Sequence, residues 1–193
     1  MKKYILGLTI STLIAVTGIT AIPKSFDFGM AGSNGFSLPF SSSKKPVDRE
    51  HVQFDHVIDG DTVAVKLATG EKRTIRLLLI DTPESVKPGT PVQPFSKAAS
   101  NYMKQFVNGK KLEIEYDRRE RKDRYDRVLA YPFADGKNVN EVMIKKGYAR
   151  IAYVKPPNTK YLKDFQQAEA SAKKVKKRIW SIPGYVTHRG FEN

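Results

Sequence analysis

The sequence predicts an α+β domain, a small β-barrel with helices packed around it. Five strand-like stretches fall between residues 52 and 133, and the first three are consecutive, joined by tight turns. Three further stretches space their apolar residues as helices do. The chain of 193 residues has room for one ordinary domain plus an extension, and it contains no internal repeat.

At the start, Lys2 and Lys3 precede an apolar run of 19 residues over 4–22. This pattern is a secretion signal or, uncleaved, a signal anchor. Ile19-Thr20-Ala21 offers a usable cleavage point. Secretion is the expectation; a cell-surface protein tethered to the membrane through residues 1–22 is the alternative. Residues 23–50 are rich in Gly, Ser and Pro and carry Phe26, Phe28, Phe36 and Phe40 without period, so they read as a flexible linker or propeptide. The domain itself is expected over 51–193.

Strands 52–58 and 62–67 are joined by the turn Asp59-Gly60-Asp61. Thr69-Gly70 leads into a central strand over 74–80, which ends at Asp81 and the turn Thr82-Pro83-Glu84, stiffened by its proline. Alternation sets Ile75, Leu77 and Leu79 against Thr74, Arg76, Leu78 and Ile80. Arg76 is a misfit there: it either reaches solvent or meets an anion across the sheet. Residues 85–94, with three prolines and a glycine, form a loop.

The first helix starts at Ser96, presents Ala99, Tyr102, Met103, Phe106 and Val107 on one face, and ends at Asn108-Gly109. In 111–116, Leu112, Ile114 and Tyr116 alternate with Lys111, Glu113 and Glu115, which predicts a half-buried strand with the acids outward. The charged run 117–127 reads as a solvated hairpin loop. Arg127 stands out because it abuts the fifth strand, 128–133. A short helix over 139–146 is closed by Gly147, and 148–154 is extended. The last helix is expected over 160–179 on a stripe of Leu162, Phe165, Ala168, Ala172, Val175 and Ile179, with Trp180 packing it down. Lys173, Lys174, Lys176, Lys177 and Arg178 crowd its end, where cations suit the helix dipole.

The net charge is +14, and residues 51–193 hold 28 basic against 17 acidic side chains, so the excess of +11 belongs to the folded part. Anionic partners follow: nucleic acid first, an anionic membrane or wall polymer second. There is no cysteine, which excludes disulfides, thiolate zinc sites, cysteine nucleophiles and a lipoprotein anchor. His51, His56 and His188 have no metal-ligand spacing. Any metal is therefore bound mainly by oxygen, which points to Ca²⁺, Mg²⁺ or Mn²⁺.

Asp61, Asp81 and Glu84 lie near loop ends and can hold such a cation, with carbonyls and waters completing its shell. Asp59 has a full explanation as the first residue of an Asp-Gly turn. Arg76 and Arg127, on different strands, could grip one phosphate from two sides with planar forks that stay charged at any working pH. The same residues also describe a strand with a salt bridge at its end.

Residues 51–181 closely resemble the staphylococcal nuclease family. The likeness rests on 58–62 (Ile-Asp-Gly-Asp-Thr), 75–84 (Ile-Arg-Leu-Leu-Leu-Ile-Asp-Thr-Pro-Glu), 123–131 (Asp-Arg-Tyr-Asp-Arg-Val-Leu-Ala-Tyr), 152–154 and 179–181, in that order and spacing. The resemblance implies a five-stranded OB-fold barrel with three α-helices; a monomer is the expectation. It implies Ca²⁺-dependent hydrolysis of DNA and RNA to 3′-phosphate ends. It also implies that Asp61, Asp81 and the carbonyl of Thr82 bind Ca²⁺, and that Glu84 orients or deprotonates the attacking water. Arg76 and Arg127 would hold the scissile phosphate, Arg124 and Tyr125 the neighbouring one, and Tyr153 would stack near a base. Two departures stand out. Asp126 takes a place where Gly is common and is expected to put a negative charge beside Arg127 and to restrict the loop. Lys155 replaces a usual aromatic, exchanging a stacking platform for a phosphate contact.

Two other classes compete. A non-catalytic barrel that grips single strands by charge and stacking would have no use for Asp61, Asp81, Glu84, Arg76 and Arg127 together. A cationic wall- or membrane-binding protein would bind without regard to Ca²⁺.

Overall fold

The computed structural model describes residues 48–85, 89, 91–118 and 122–192; the expected signal over 1–22 and nearly all of the linker over 23–50 lie outside them. The described strands are β1 (Glu50–Asp59), β2 (Thr62–Leu67), β3 (Lys72–Leu77), β4 (Ile80–Asp81), β5 (Leu112–Glu115), β6 (Val128–Ala134), β7 (Lys137–Asn138) and β8 (Arg150–Ile151). Three helices accompany them: α1 (Ser96–Val107), α2 (Val139–Lys145) and α3 (Leu162–Lys174). The order β3-β2-β1-β5-β6 closes on itself through a parallel β6–β3 pairing, giving the expected five-stranded barrel with three helices. β1 serves two neighbours: Glu50, His51 and Val52 pair with β5, while residues from Val52 to Asp59 pair with β2 through two bulges that bend the strand.

The barrel wall alternates as a half-buried sheet should, with Val63, Val65, Ile75, Leu77, Ile114 and Ala130 turned inward. The central strand departs from the expectation. It stops at Leu77, because Leu78 and Leu79 turn, with Leu79 at φ 62°. Leu77, Leu78, Leu79 and Ile80 are all buried, so alternation ends there. The turn is enclosed on several sides: Leu78 N–H donates to the Ala130 carbonyl, Asn140 Nδ2 donates to the Leu78 carbonyl, and Ala152 N–H donates to that of Leu79. Beyond it β4 leaves the barrel and pairs with β8, setting Asp81 opposite Arg150.

Other elements also differ. Glu115, expected outward, is 2% exposed, because Arg49, Lys160 and the Tyr161 hydroxyl all bond its carboxylate. The last helix is shorter than expected. Lys176 and Arg178 adopt φ 47° and 50°, Val175 is exposed, and a 3-10 turn over Arg178–Ser181 then buries Ile179. Ile179, more than the half-buried Trp180, seals this corner. Its amide donates to the Gly147 carbonyl, and a Cβ on Gly147 would stand 2.5 Å from the Lys177 carbonyl oxygen. Glycine is required by that approach.

Past Trp180, residues 185–192 form a small hairpin in which Val186 bridges Phe191 and Tyr185 is buried. Nothing in the sequence periodicity announced it. Among the described residues, no helix is long and apolar enough to cross a membrane.

Candidate active site

The site grows from one close approach. A Cβ on Gly60 would lie 2.7 Å from Thr82 Oγ1 and 2.9 Å from the Ala99 side chain, so only glycine lets the Asp59-Gly60-Asp61 turn rest against Thr82. Asp61 is thereby fixed. Its Oδ1 accepts from the Thr62 hydroxyl at 2.9 Å, and its Oδ2 accepts from the Thr82 amide at 3.2 Å.

Register then brings the first cation. Thr62 pairs with Arg76 across β2 and β3, and Arg76 Nη2 lies 3.0 Å from Asp61 Oδ2 and 3.9 Å from Asp81 Oδ1. Its Nη1 donates to the carbonyls of Leu77 and Ile80 at 3.0 and 3.1 Å. The misfit arginine therefore meets anions, and it staples the turn that ends its own strand. Tyr153, 64% exposed and at φ 54°, holds its ring 5.4 Å from the Arg76 guanidinium. Burial and then the Asp81 carboxylate keep the Tyr153 phenol above its ordinary range.

Asp81 has a second cation that sequence reading missed. Arg150 Nε and Nη2 reach its Oδ2 at 3.0 and 2.8 Å. A signal existed: Arg150 is a lone cation among Ala149, Ile151 and Ala152, the same misfit that marked Arg76. Glu84 follows on the stiff turn, half-buried, and its amide donates to Gln93 Oε1 at 2.8 Å. Asp59 belongs to the same acidic group, beyond its turn role. Its Oδ1 accepts from the Gly60 amide and from the hydroxyls of Ser85 and Ser100 at 2.7, 2.9 and 3.3 Å.

The acids crowd one another. Burial, reinforced by the Asp61 carboxylate, pushes the Asp59 carboxyl up to about 6. Burial and again Asp61 hold Asp81 above the usual carboxylate range, against the opposing pull of Arg150 and Arg76. Among the described residues, no three His, Asp or Glu side chains are grouped closely enough to hold an ion by themselves. A cation here would need backbone carbonyl and water oxygens besides Asp61 and Asp81. That requirement suits Ca²⁺, which takes six to eight hard oxygen ligands in flexible geometry. Thr82 Oγ1, buried with no hydrogen-bond partner, adds an uncommitted oxygen beside Asp61.

Arg124, Tyr125 and Arg127 form a separate group in the loop before β6. Arg127 is bonded to Asp123 through Nε and Nη2, both at 2.7 Å, and the Asp123 carboxylate also accepts from the Arg127 amide at 3.0 Å. Burial opposes it, yet these bonds hold the Asp123 carboxyl below its ordinary range. The Tyr125 ring carries the Arg124 and Arg127 guanidiniums at 4.7 and 5.3 Å. The parallel pairing of β3 with β6 begins at Ile75↔Val128, so Arg127 stands one residue before it, while Arg76 lies within it opposite Leu129. Asp126 corrects the expectation placed on it. At φ 61° it occupies a conformation natural to glycine, but its carboxylate pairs with Lys122 at 2.7 Å and not with Arg127.

Comparison with known proteins points the same way. A family model described as "Staphylococcal nuclease homologue" matches residues 74–182. Endonuclease YncB of Bacillus subtilis (strain 168) is 48% identical over 153 residues, covering 79% of this chain and 71% of that protein. SPbeta prophage-derived endonuclease YokF of the same strain is 50% identical over 140 residues, 72% of this chain and 47% of that protein. A thermonuclease of Staphylococcus hyicus is 39% identical over 181 residues, 94% of this chain and 99% of its own length.

Proposed function

This chain belongs to the staphylococcal nuclease family, and from that membership we propose that it is a Ca²⁺-dependent endonuclease cutting DNA and RNA to 3′-phosphate ends. The observation that carries the reading is the convergence of two carboxylates, Asp61 and Asp81, on the Arg76 guanidinium at 3.0 and 3.9 Å in a largely buried setting. A structural salt bridge needs one acid; here a guanidinium stands between two, and both Asp59 and Asp81 are harder to ionise than usual.

In this reading Asp61, Asp81 and the Thr82 carbonyl hold Ca²⁺, which when bound neutralises the acids and polarises a phosphate oxygen. Arg76 and Arg127 donate to the equatorial oxygens of the scissile phosphate, whose charge grows towards the transition state. Glu84, on its stiff turn, orients a water and takes its proton. The water oxygen bonds to phosphorus, the bond from phosphorus to the 5′-oxygen breaks, and that oxygen takes up a proton from solvent. The phosphate stays on the 3′ side. Arg124 and Tyr125 contact the neighbouring phosphate, and exposed Tyr153 offers a stacking face to a base. The enzyme acts outside the cell as a monomer, with residues 1–22 as its export signal or tether.

The test is a cleavage assay on DNA and RNA with Ca²⁺ and with chelator, the product ends identified by their need for phosphatase before 3′ extension. Binding without cleavage in Ca²⁺ would favour the non-catalytic barrel instead. N-terminal sequencing of protein from culture supernatant tests export.

A further inference from the structure

The hairpin at residues 185–192 touches the site through two separate chains of bonds. In the first, the Phe191 carbonyl accepts from Gln93 Nε2 at 3.2 Å, while the same amide's Oε1 accepts from the Glu84 backbone N–H at 2.8 Å. The Gln93 amide donates back to the Glu84 carbonyl at 3.0 Å. In the second, the Thr187 carbonyl accepts from Arg150 Nη1 at 3.4 Å, while Arg150 Nε and Nη2 hold Asp81. The Phe191 ring lies 5.7 Å from the same guanidinium.

The hairpin is itself anchored. Tyr185 is 3% exposed, its hydroxyl donates to the Pro94 carbonyl at 2.7 Å, and its ring packs 5.3 Å from that of Phe191. Backbone bonds Thr187 to Gly190 and Glu192 to Tyr185, at 2.8 and 2.9 Å, close it. Pro94 and Gln93 end the loop that begins just after Glu84. The hairpin thus bonds both the far end of that loop and the outer side of Arg150.

We propose that the hairpin of residues 185–192 is a positioning element of the active site, setting Glu84 through Gln93 and Asp81 through Arg150. This rests on the reading of Glu84 and Asp81 given above. Both groups act by placement, and an outer partner that fixes a ligand or base commonly matters tenfold to a hundredfold. Gln93 and Arg150 are positioning residues here, and Phe191 and Tyr185 hold them in turn.

The test uses full-length Phe191→Ala, Phe191→Leu and Tyr185→Phe. Expected for Phe191→Ala, well below its Tm, is a kcat lowered roughly tenfold to a hundredfold with KM for DNA nearly unchanged, the signature of a lost transition-state interaction. Hydrogen exchange of the Glu84 amide should quicken, and Phe191→Leu should restore most of kcat by restoring the packing. Tyr185→Phe, which removes one hydroxyl, should show a smaller loss in the same direction, and it decides the matter if Phe191→Ala does not fold. Wild-type kcat and unchanged Glu84 exchange in these variants, even with a lower Tm, would reduce the hairpin to a fold brace and overturn the proposal. If the wild type itself fails to cleave in Ca²⁺, the functional reading has failed, while Glu84 exchange still reports whether the hairpin holds the loop.

Discussion

Arg150 places two donors, Nε and Nη2, on a single oxygen of Asp81, Oδ2, at 3.0 and 2.8 Å, and leaves Oδ1 turned towards Arg76 at 3.9 Å. The antiparallel pair Asp81↔Arg150 of β4 and β8 sets the two residues directly opposite each other. One carboxylate is thus divided between a cation that belongs to the fold and a direction open to the site.

Removing that cation should expose the division. Arg150→Met in chelator should lose roughly 3 kcal/mol, the cost of leaving a buried charge without its partner. Ca²⁺ should recover more stability in the variant than in the wild type, because it supplies Asp81 with a replacement charge. Urea unfolding with and without Ca²⁺ measures both; equal Ca²⁺ increments would mean the ion does not meet Asp81.

The two site arginines should separate by stability. Arg76 bonds two buried carbonyls and Asp61, whereas Arg127 bonds Asp123 on a partly exposed loop. Arg76→Ala should cost about 3–5 kcal/mol, Arg127→Ala no more than about 1 kcal/mol. Each should also lower kcat on the order of 10²–10³-fold. Thermal unfolding beside single-turnover rates gives the comparison, and an active Arg127→Ala would remove that residue from the phosphate clamp.

Glu84→Gln should lower kcat by roughly 10²–10⁴-fold, the usual worth of a placed general base, and keep its fold, since Glu84 is only half-buried on a loop. Unchanged cleavage at matched Ca²⁺ would take Glu84 out of the reaction.

Asp59 supplies a pH test. Its folded pKa, about 6, is raised above the ordinary carboxylate value by burial and by Asp61. An acid raised in this way favours the folded state while protonated, so its contribution is complete below the unfolded value near 3.8 and is lost as pH rises through about 6. Ca²⁺ favours the ionised form and should lower this pKa. Carbon-13 titration of the Asp59 carboxyl with and without Ca²⁺ checks it, and an unmoved midpoint would place the ion elsewhere.

Asp126→Asn should leave kcat within about twofold, because its carboxylate faces Lys122 across an exposed pair, and such pairs contribute less than about 1 kcal/mol. A large gain in kcat would show that the charge at Asp126 restrains Arg127 after all.

Much of this molecule was legible in one dimension, and the reason is local. Strand alternation in β2 and β5, the helical spacing of α1 and the glycines that stop chains depend on neighbours a few residues apart, so pattern alone located them. The motif around Asp81-Thr82-Pro83-Glu84 is likewise contiguous, and with it the family resemblance. The partners of those groups come from far along the chain. Asp81 meets Arg150, Glu115 is drawn inward by Arg49 and Lys160, and Glu84 is reached from Phe191 by way of Gln93. Sequence by itself therefore determined the five barrel strands, the three helices and the family, but not the hairpin over 185–192 or where β3 and α3 end. Tertiary structure decided which charges are paired and with which partner, because a charge's energy depends on its distance from every other charge and from water, and only closure of the barrel sets those distances.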